Sequence, residues 1–156
     1  MREGHASRTA EQNALFRALE SARTARERIC DDPLARHFLT WPLTMVARIA
    51  AVPGAAQLVS RFIDRRWPGV RSSVVARTRL IDDAIATALE EDIEQLVILG
   101  AGFDSRAYRM PGPPAIDVFE VDHPDTQAAK QVVLRRVFSA LPKHVRFVPI
   151  DSSEMT

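Results

Sequence analysis

Val97-Ile98-Leu99-Gly100-Ala101-Gly102-Phe103-Asp104-Ser105-Arg106 joins an apolar run directly to a Gly-x-Gly turn. Unbroken apolar runs are typical of parallel strands that are buried on both faces, and residues 96–99 fit this pattern. Glycine at positions 100 and 102 permits backbone angles that other residues avoid, and it lets a ligand approach the main chain closely. The segment therefore predicts a ligand-binding turn, formed by Gly100, Ala101 and Gly102, at the carboxyl end of a parallel strand.

A second apolar run, residues 116–121, ends at Asp122, about 20 residues beyond Gly102, where an acid hydrogen-bonds a ribose hydroxyl in open parallel sheets. Glu120 lies on the same side of the strand, but Asp122 stands at the carboxyl end, where ligands bind. We therefore predict that Asp122 accepts the ribose hydroxyls, with Glu120 either a second contact or an acid that stabilises the turn. Because Pro124 suits a first helical position, Asp122 is also a candidate cap for the following helix, residues 125–140.

The identity of the nucleotide follows in part from what the turn lacks. The dinucleotide fingerprint has a third glycine where this chain has Ser105, so close packing against a pyrophosphate is not specified. S-adenosylmethionine carries a ribose and an adenine but no phosphate, and its methionine end carries an ammonium and a carboxylate. These features favour adenosylmethionine over NAD or FAD, while a purely structural glycine turn stays open.

Several longer motifs extend this pattern along the chain. They are ILGAGFDSRAYR at 98–109, VFEVDHPDTQ at 118–127 followed by Lys130, and FVPID at 147–151; nearer the amino terminus stand Ser7-x-Thr9-Ala10, DDPLA at 31–35 and ARTRLID at 76–82. By these motifs the sequence resembles the leucine carboxyl methyltransferase-like family of S-adenosylmethionine-dependent enzymes of the actinobacterial type, over essentially its whole length. The resemblance implies an α/β fold: an amino-terminal helical cap and an incomplete Rossmann-like parallel sheet of strand order 3-2-1.

The resemblance also implies how the methionine end of the cofactor is held. In the family the arginine of the Ala-Arg pair binds the cofactor carboxylate, and Arg77 is the matching residue. A guanidinium suits this role because its planar fork grips a carboxylate through two hydrogen bonds. The alternatives are a surface arginine paired with Asp82 or Glu90, and Arg79 as the ligand in place of Arg77.

At the adenine end, the family places an aspartate followed by an apolar residue. Asp151 matches the aspartate and would accept from the adenine amino group, whereas Ser152 stands where the family usually has leucine and would give less apolar cover. Asp104 completes the predicted cofactor site from the glycine turn. For Asp104 and Arg106, ligand contact and a role in holding the loop by hydrogen bonds are equally open.

The implied reaction is methyl transfer from the sulfonium to an oxygen, a carboxylate or hydroxyl, of a small-molecule acceptor. A carboxylate needs no general base, and we assign no catalytic residue; His123 is interpreted as a residue at the start of a helix. Two other functions stay open: a module that binds the cofactor without turnover, and part of an NAD-dependent oxidoreductase. The titration of adenosylmethionine, adenosylhomocysteine and NAD would separate them.

The end of the sequence comes soon after the third predicted strand, residues 145–150. Doubly wound sheets continue with a fourth strand on the other side of strand 1. We therefore expect either a truncated member of the family or a fragment of a longer protein, possessing the cofactor half but little of the substrate pocket, and little or no activity of the chain by itself. The unpaired edge of strand 1 predicts self-association.

Composition excludes several classes of function. The 21 lysine and arginine residues balance 20 acids to a net charge of +1 and form no basic block, so nucleic-acid binding is not expected. The four histidines and the single cysteine, Cys30, show no metal-ligand spacing, so no metal is predicted. The most apolar segment, residues 43–59, contains Arg48 and Pro53, which argues against a membrane span. A cytoplasmic protein is the prediction.

The chain divides by its periodicity into a helical cap, residues 1–73, and the amino-terminal half of a cofactor-binding domain, residues 74–156. Apolar spacing and Pro-Gly stops predict helices at 7–29, 41–51 and 55–66, a short helix capped by Asp31-Asp32-Pro33, and a long helix at 74–90 that leads into the first strand. Four large side chains of the cap are expected to pack in its core instead of contacting substrate; they are Trp41, Met45, Phe62 and Trp67.

Overall fold

The computed structural model describes residues 8–52, 54–110 and 116–151. Four α-helices come first, with a short 3₁₀ helix after the first of them, and three strands then alternate with two helices. In chain order they are α1 (Arg8–Ser21), the 3₁₀ helix (Ala35–Phe38), α2 (Trp41–Ala50), α3 (Ala55–Arg66), α4 (Val70–Glu90), β1 (Gln95–Leu99), α5 (Arg106–Arg109), β2 (Asp117–Asp122), α6 (Pro124–Val137) and β3 (Val145–Pro149). The predicted α/β class is confirmed.

The strands form one parallel sheet in which β2 lies between β1 and β3. Leu99 pairs with Val121, and Val121 with Val148, so the carboxyl ends of all three strands meet at one edge. This confirms the predicted order 3-2-1. It also places the turns that follow β1 and β2 side by side, as ligand binding at such a sheet requires.

Helix α1 connects the cap to the glycine turn. On one side, its Leu15, Phe16 and Leu19 share a buried cluster with residues of α2, α3 and α4. On the other side, its Ala14 packs in a second cluster whose other buried members are Phe38, Phe103 and Leu134. The rings of Phe38 and Phe103 stack there with centroids 5.0 Å apart. Packing against the cap thus fixes residues 101–105. The predicted boundary at residue 73, between the helical cap and the cofactor-binding part, stays a prediction.

The first helix is shorter than predicted: it ends at Ser21, not near residue 29. The cause is Glu20, whose fully buried carboxylate accepts a hydrogen bond from the Ile29 amide at 2.8 Å and pairs with Arg23 and Arg71. The chain turns back over this carboxylate instead of continuing the helix. Periodicity alone could not reveal a buried acid that captures a distant amide.

The other helices follow their predictions more closely. Helix α3 has the predicted bounds, α2 ends one residue early and α4 begins one turn early, after Gly69 in the left-handed region at φ 79°. Asp32 accepts hydrogen bonds from the Leu34 and Ala35 amides, which supports its predicted capping role, although the helix itself is a 3₁₀ turn. The predicted stop at Pro53 lies outside the described residues.

Two burial predictions are wrong. Trp41, Met45, Phe62 and Trp67 are 76%, 39%, 71% and 50% exposed, because α2 and α3 turn other residues, among them Leu43, Val46 and Val59, toward the cap core. Strand β1 is not buried on both faces either: Leu96 and Ile98 pack inward, whereas Val97 and Leu99 are 54% and 76% exposed. Among the described residues, these side chains form an uncovered apolar surface.

Within the described part of the chain, none of the helices combines the length and the apolar character needed to cross a membrane.

Candidate functional site

A cavity of about 500 Å³ opens beside the carboxyl end of β1. It is lined by the glycine turn and the loop that follows it, by the last residue of β2, and by residues of α1 and α4. Most of the predicted cofactor residues meet in it, namely Arg77, Gly100, Ala101, Gly102, Asp104 and Asp122. Asp151 is not part of its wall, and Ser152 lies outside the described residues.

The turn after β1 needs both of its glycines. Gly100 and Gly102 have φ values of 62° and 45°, in the left-handed region where a side chain would be strained. A Cβ added to Gly102 would also come within 3.1 Å of the Ala10 Cβ on α1. The Ala101 amide donates to the Val121 carbonyl at 3.0 Å, which ties the turn to β2. The main chain of the turn therefore carries no side chain at positions 100 and 102, and it is held in a fixed position beside the cavity.

Asp122 is held by the backbone on both of its carboxylate oxygens. Oδ2 accepts a short hydrogen bond from the Gly102 amide, and Oδ1 accepts from the His123 amide at 2.6 Å. Each oxygen keeps a further lone pair, because a carboxylate offers about four acceptor positions. The carboxylate therefore has a fixed orientation and remaining capacity to accept hydrogen bonds at the cavity wall.

The alternative prediction, that Asp122 caps α6, is wrong. His123 is the N-cap: its Nδ1 accepts from the Asp125 amide at 3.2 Å, and Pro124 occupies the first helical turn. The interpretation of His123 as a helix-start residue is confirmed. Asp122 remains available to the cavity because its neighbour satisfies the helix end.

Arg77 contributes an exposed guanidinium to the same cavity. Neither of the predicted alternative partners holds it, and within the described ranges no carboxylate forms an ion pair with it. Arg79 is different: it pairs with Asp83 on the surface at 2.8 Å and donates to the Ile29 carbonyl, away from the glycine turn. The uncompensated positive charge of this cavity wall is therefore that of Arg77.

A network of partly buried ion pairs, several of whose members also line the cavity, holds the glycine turn and the loop after it in place. Arg106 donates to Asp104 through its amide and its guanidinium, and also to Asp82 on α4 at 2.7 Å. On the α1 side, Arg17 donates to the Phe103 carbonyl at 2.7 Å and to Asp32 at 2.8 Å. The loop-holding role considered for Asp104 and Arg106 is thus present, and contact between Asp104 and a ligand stays a prediction.

Sequence reasoning missed Arg17, considered Asp32 only as a helix cap, and considered Asp82 only as a partner for Arg77. Nothing in a single sequence links residues so far apart along the chain; Asp32 looks like an ordinary helix-start residue and Asp82 like an acid within a helix. The one available signal was the ARTRLID motif, which contains Asp82 and was used only for its arginine.

Glu120 is neither a second ligand contact nor a stabiliser of the turn, so that expectation is wrong. Its carboxylate is fully buried, pairs with Lys130 of α6 at 2.6 Å, and is not part of the cavity wall. Burial raises the pKa of Glu120 and lowers the pKa of Lys130, since both charged forms are removed from water. The pair fastens α6 to the sheet.

Asp151 lies just beyond β3, beside the end of β2. The Ile150 amide donates to the Asp122 carbonyl at 2.9 Å, and Asp151 Oδ2 is 3.9 Å from His123 Nε2. Gln127, which sequence reasoning missed, donates to the carbonyls of Glu120 and Val148 and so joins β2 to β3 from α6. The two strand ends that would serve the ribose and the adenine are therefore fastened together.

Comparison with known proteins gives a consistent assignment. The family model described as leucine carboxyl methyltransferase matches residues 10–155. Two similar proteins come from Frankia alni, 36% identical over 141 residues and 41% identical over 126 residues, covering 90% and 81% of this chain. A third, from Mycobacterium avium, is 34% identical over 140 residues and covers 83% of it. All three are named "Putative S-adenosyl-L-methionine-dependent methyltransferase".

The matches extend over 47%, 41% and 43% of those three relatives. The chain thus spans less than half the length of the curated relatives it matches, and the part that it matches contains the glycine turn and its surrounding cavity.

Proposed function

The chain belongs to the leucine carboxyl methyltransferase family, and we therefore propose that it is the cofactor-binding part of an S-adenosyl-L-methionine-dependent methyltransferase. The observation that carries the proposal is the shared wall of one cavity: a bare glycine turn, a fixed carboxylate and an uncompensated guanidinium, contributed by Gly100–Gly102, Asp122 and Arg77. Adenosylmethionine has a group complementary to each of these features.

The cavity fits this cofactor in its donor and acceptor chemistry. Asp122 would accept from the ribose hydroxyls with the lone pairs that the amides of Gly102 and His123 leave over. Arg77 would bind the cofactor carboxylate with its fork. The absence of a side chain at Gly100 and Gly102 allows the ligand to contact the main chain, and a phosphate is not required because Ser105 replaces the third glycine of the dinucleotide fingerprint.

The adenine end of the site would be completed after β3. Asp151 would accept from the exocyclic amine, and Ser152 would cover the ring with less apolar area than leucine. In support, β3 is fastened to β2 through Gln127 and through the Ile150 amide, which holds Asp151 near the strand end that carries Asp122.

The reaction we propose is methyl transfer to an oxygen, a carboxylate or hydroxyl, of a small-molecule acceptor. When bound, the cofactor would supply an electrophilic methyl group on a sulfonium. The oxygen donates an electron pair to the methyl carbon, and the carbon–sulfur bond breaks with its pair remaining on sulfur; a hydroxyl acceptor also releases its proton to water. The chain's own contribution is alignment: Asp122 would hold the ribose and Arg77 the methionine carboxylate, on either side of the sulfonium, so that the methyl group has a defined direction. We assign no general base.

Two further properties belong to the proposal. The unpaired edge of β1, beside the exposed Val97 and Leu99, would pair with another copy when the chain is alone. A cytoplasmic location is supported by the single cysteine, Cys30, which is a buried free thiol. Burial raises the pKa of this thiol to about 11.

Calorimetric titration of the chain with adenosylmethionine, adenosylhomocysteine and NAD tests the proposal. We expect the two sulfur ligands to bind and NAD not to bind. Binding of NAD alone would favour an oxidoreductase, and binding of none of the three would overturn the proposed function. A radiolabelled methyl-transfer assay then distinguishes an enzyme from a module that binds without turnover.

A further inference from the structure

We propose that Asp82 and Arg106 are positioning residues, which set the location of Arg77 relative to the glycine turn and so select for the amino-acid end of the cofactor. The inference rests on the proposed function. It concerns Asp82, which is not part of the cavity wall, and Arg106, whose side chain contributes to that wall. The two side chains are 14% and 10% exposed, and Arg106 Nε donates a hydrogen bond of 2.7 Å to Asp82 Oδ1.

Arg106 donates hydrogen bonds to helix α4 at two successive turns. Its Nη2 donates to the carbonyl of Thr78, the residue directly after Arg77, at 3.2 Å, and its Nε donates to Asp82 one turn further along. With the third guanidinium nitrogen and with its own amide it holds both oxygens of Asp104 in the loop after the glycine turn. One side chain thus bridges the helix of Arg77 to the loop that follows Gly102.

Asp82 receives a second arginine on the same carboxylate. Arg109 Nη2 donates to Oδ1 and Oδ2 at 2.8 and 2.9 Å, and Arg109 Nε donates to the Ser105 hydroxyl at 3.0 Å. Asp82 is therefore an acceptor on α4 that Arg106 and Arg109 share, and it fastens both arginines to this helix. Charge-assisted, partly buried hydrogen bonds of this kind fix geometry well because a planar fork tolerates little displacement.

The two halves of the proposed site have separate supports. Asp122 is oriented by the amides of Gly102 in the turn and of His123 after β2, and among the described residues no hydrogen bond joins its carboxylate to α4. Arg77 stands on α4, whose attachment to the loop runs through Asp82 and Arg106. Weakening that attachment should therefore disturb binding of the methionine carboxylate while leaving the ribose contact in place.

The test compares two ligands on Asp82→Asn: adenosylhomocysteine, which has the amino-acid end, and 5′-methylthioadenosine, which lacks it. We expect the affinity for adenosylhomocysteine to fall on the order of 3- to 30-fold. The affinity for 5′-methylthioadenosine should stay within about twofold of the wild-type value. Asp83→Asn is the matched control, because Asp83 is the next residue, exposed, and paired only with the surface residue Arg79 among the interactions described; it should change neither affinity.

A double-mutant cycle separates positioning from a general effect on the fold. If Asp82 acts through Arg77, Asp82→Asn should cause little further loss of adenosylhomocysteine affinity in an Arg77→Lys background. Arg106→Lys, which keeps the charge but loses the bridging fork, should reproduce the ligand selectivity of Asp82→Asn and serves if that variant does not fold.

Equal losses for the two ligands, or additive effects in the cycle, would overturn the positioning role while leaving the proposed function intact. Failure of both Asp82→Asn and Arg106→Lys to fold would assign the bridge to the fold and also overturn the role. A wild-type chain that binds neither ligand would overturn the proposed function itself, so the two failures are distinguishable.

Discussion

The ammonium of Lys130 lies 2.6 Å from the carboxylate of Glu120, and the two side chains are 1% and 0% exposed. Neither group makes a further hydrogen bond within the described part of the chain, although the Lys130 ammonium also lies 5.4 Å from the centroid of the Tyr108 ring. Burial raises the pKa of Glu120 and lowers that of Lys130. Each group is therefore tolerated in the interior only because the other is present.

Lys130→Met should accordingly destabilise the chain strongly. Removing one partner of a buried pair leaves the other without compensation and costs about 3–5 kcal/mol in the free energy of unfolding. The double variant Glu120→Gln/Lys130→Met removes both charges and should regain a large part of that loss. Urea denaturation followed by circular dichroism measures both values.

Lys143→Met is the control for the loss of a lysine, because Lys143 is exposed; it should leave the free energy of unfolding nearly unchanged. A double variant that is less stable than Lys130→Met would contradict this account, since it would show that Glu120 contributes favourably without its partner.

The backbone of the site could be predicted because its signals are local. The positive φ values of the turn require glycine at positions 100 and 102, and Pro124 marks the start of α6. An apolar run before each turn marks a strand. All of these features depend only on neighbours in sequence. Parallel strands then bring Asp122 to the glycine turn without any further information. The prediction that these residues share one cavity wall follows from topology, and the structure places them there.

What failed depended on tertiary partners. Glu20 ends α1 by capturing the Ile29 amide, and Glu120 faces Lys130 because of the packing of α6 on the sheet. Trp41 and Phe62 have the composition of core residues but lie on helix faces that turn away from the cap core. Hydrophobicity identifies which side chains favour burial, whereas the direction in which a helix presents them is set by its neighbours.

Asp122→Ala should weaken adenosylhomocysteine binding by about 1–3 kcal/mol, the loss expected for a charge-assisted hydrogen bond. The variant also releases the amides of Gly102 and His123, so the free energy of unfolding must be measured alongside the affinity. Isothermal titration gives the affinity directly.

Asp117→Ala is the matched control, since Asp117 lies at the other end of the same strand in an exposed pair with Arg146. We expect it to leave the affinity unchanged. If Asp122→Ala stays folded and binds adenosylhomocysteine as tightly as the wild type, the ribose role of Asp122 is wrong.

Val97→Lys should reduce self-association of the chain. Val97 is 54% exposed on β1, whose outer edge has no strand partner within the described residues, and lysine is a common guard of such edges because its charge disfavours pairing with another strand. Light scattering over a range of concentrations should show a larger mean mass for the wild type than for the variant. Val132→Lys, at an exposed valine of α6, should have no such effect; a wild type that is monomeric at all concentrations would remove the basis of the prediction.

Arg77→Lys should weaken adenosylmethionine more than it weakens 5′-methylthioadenosine, which lacks the amino-acid end. Lysine retains the positive charge but loses the planar fork, and so it replaces a two-point contact with the carboxylate by a single one. With charge-assisted hydrogen bonds worth about 1.5–3 kcal/mol each, the expected difference is roughly tenfold or more in affinity.

Arg79→Lys is the control: Arg79 lies two residues away on the same helix, but its guanidinium is engaged with Asp83 at the surface, so neither ligand should respond. Equal losses of both ligands on Arg77→Lys would mean that Arg77 acts through the fold and not through the carboxylate, and a selective loss on Arg79→Lys would transfer the carboxylate role to that residue.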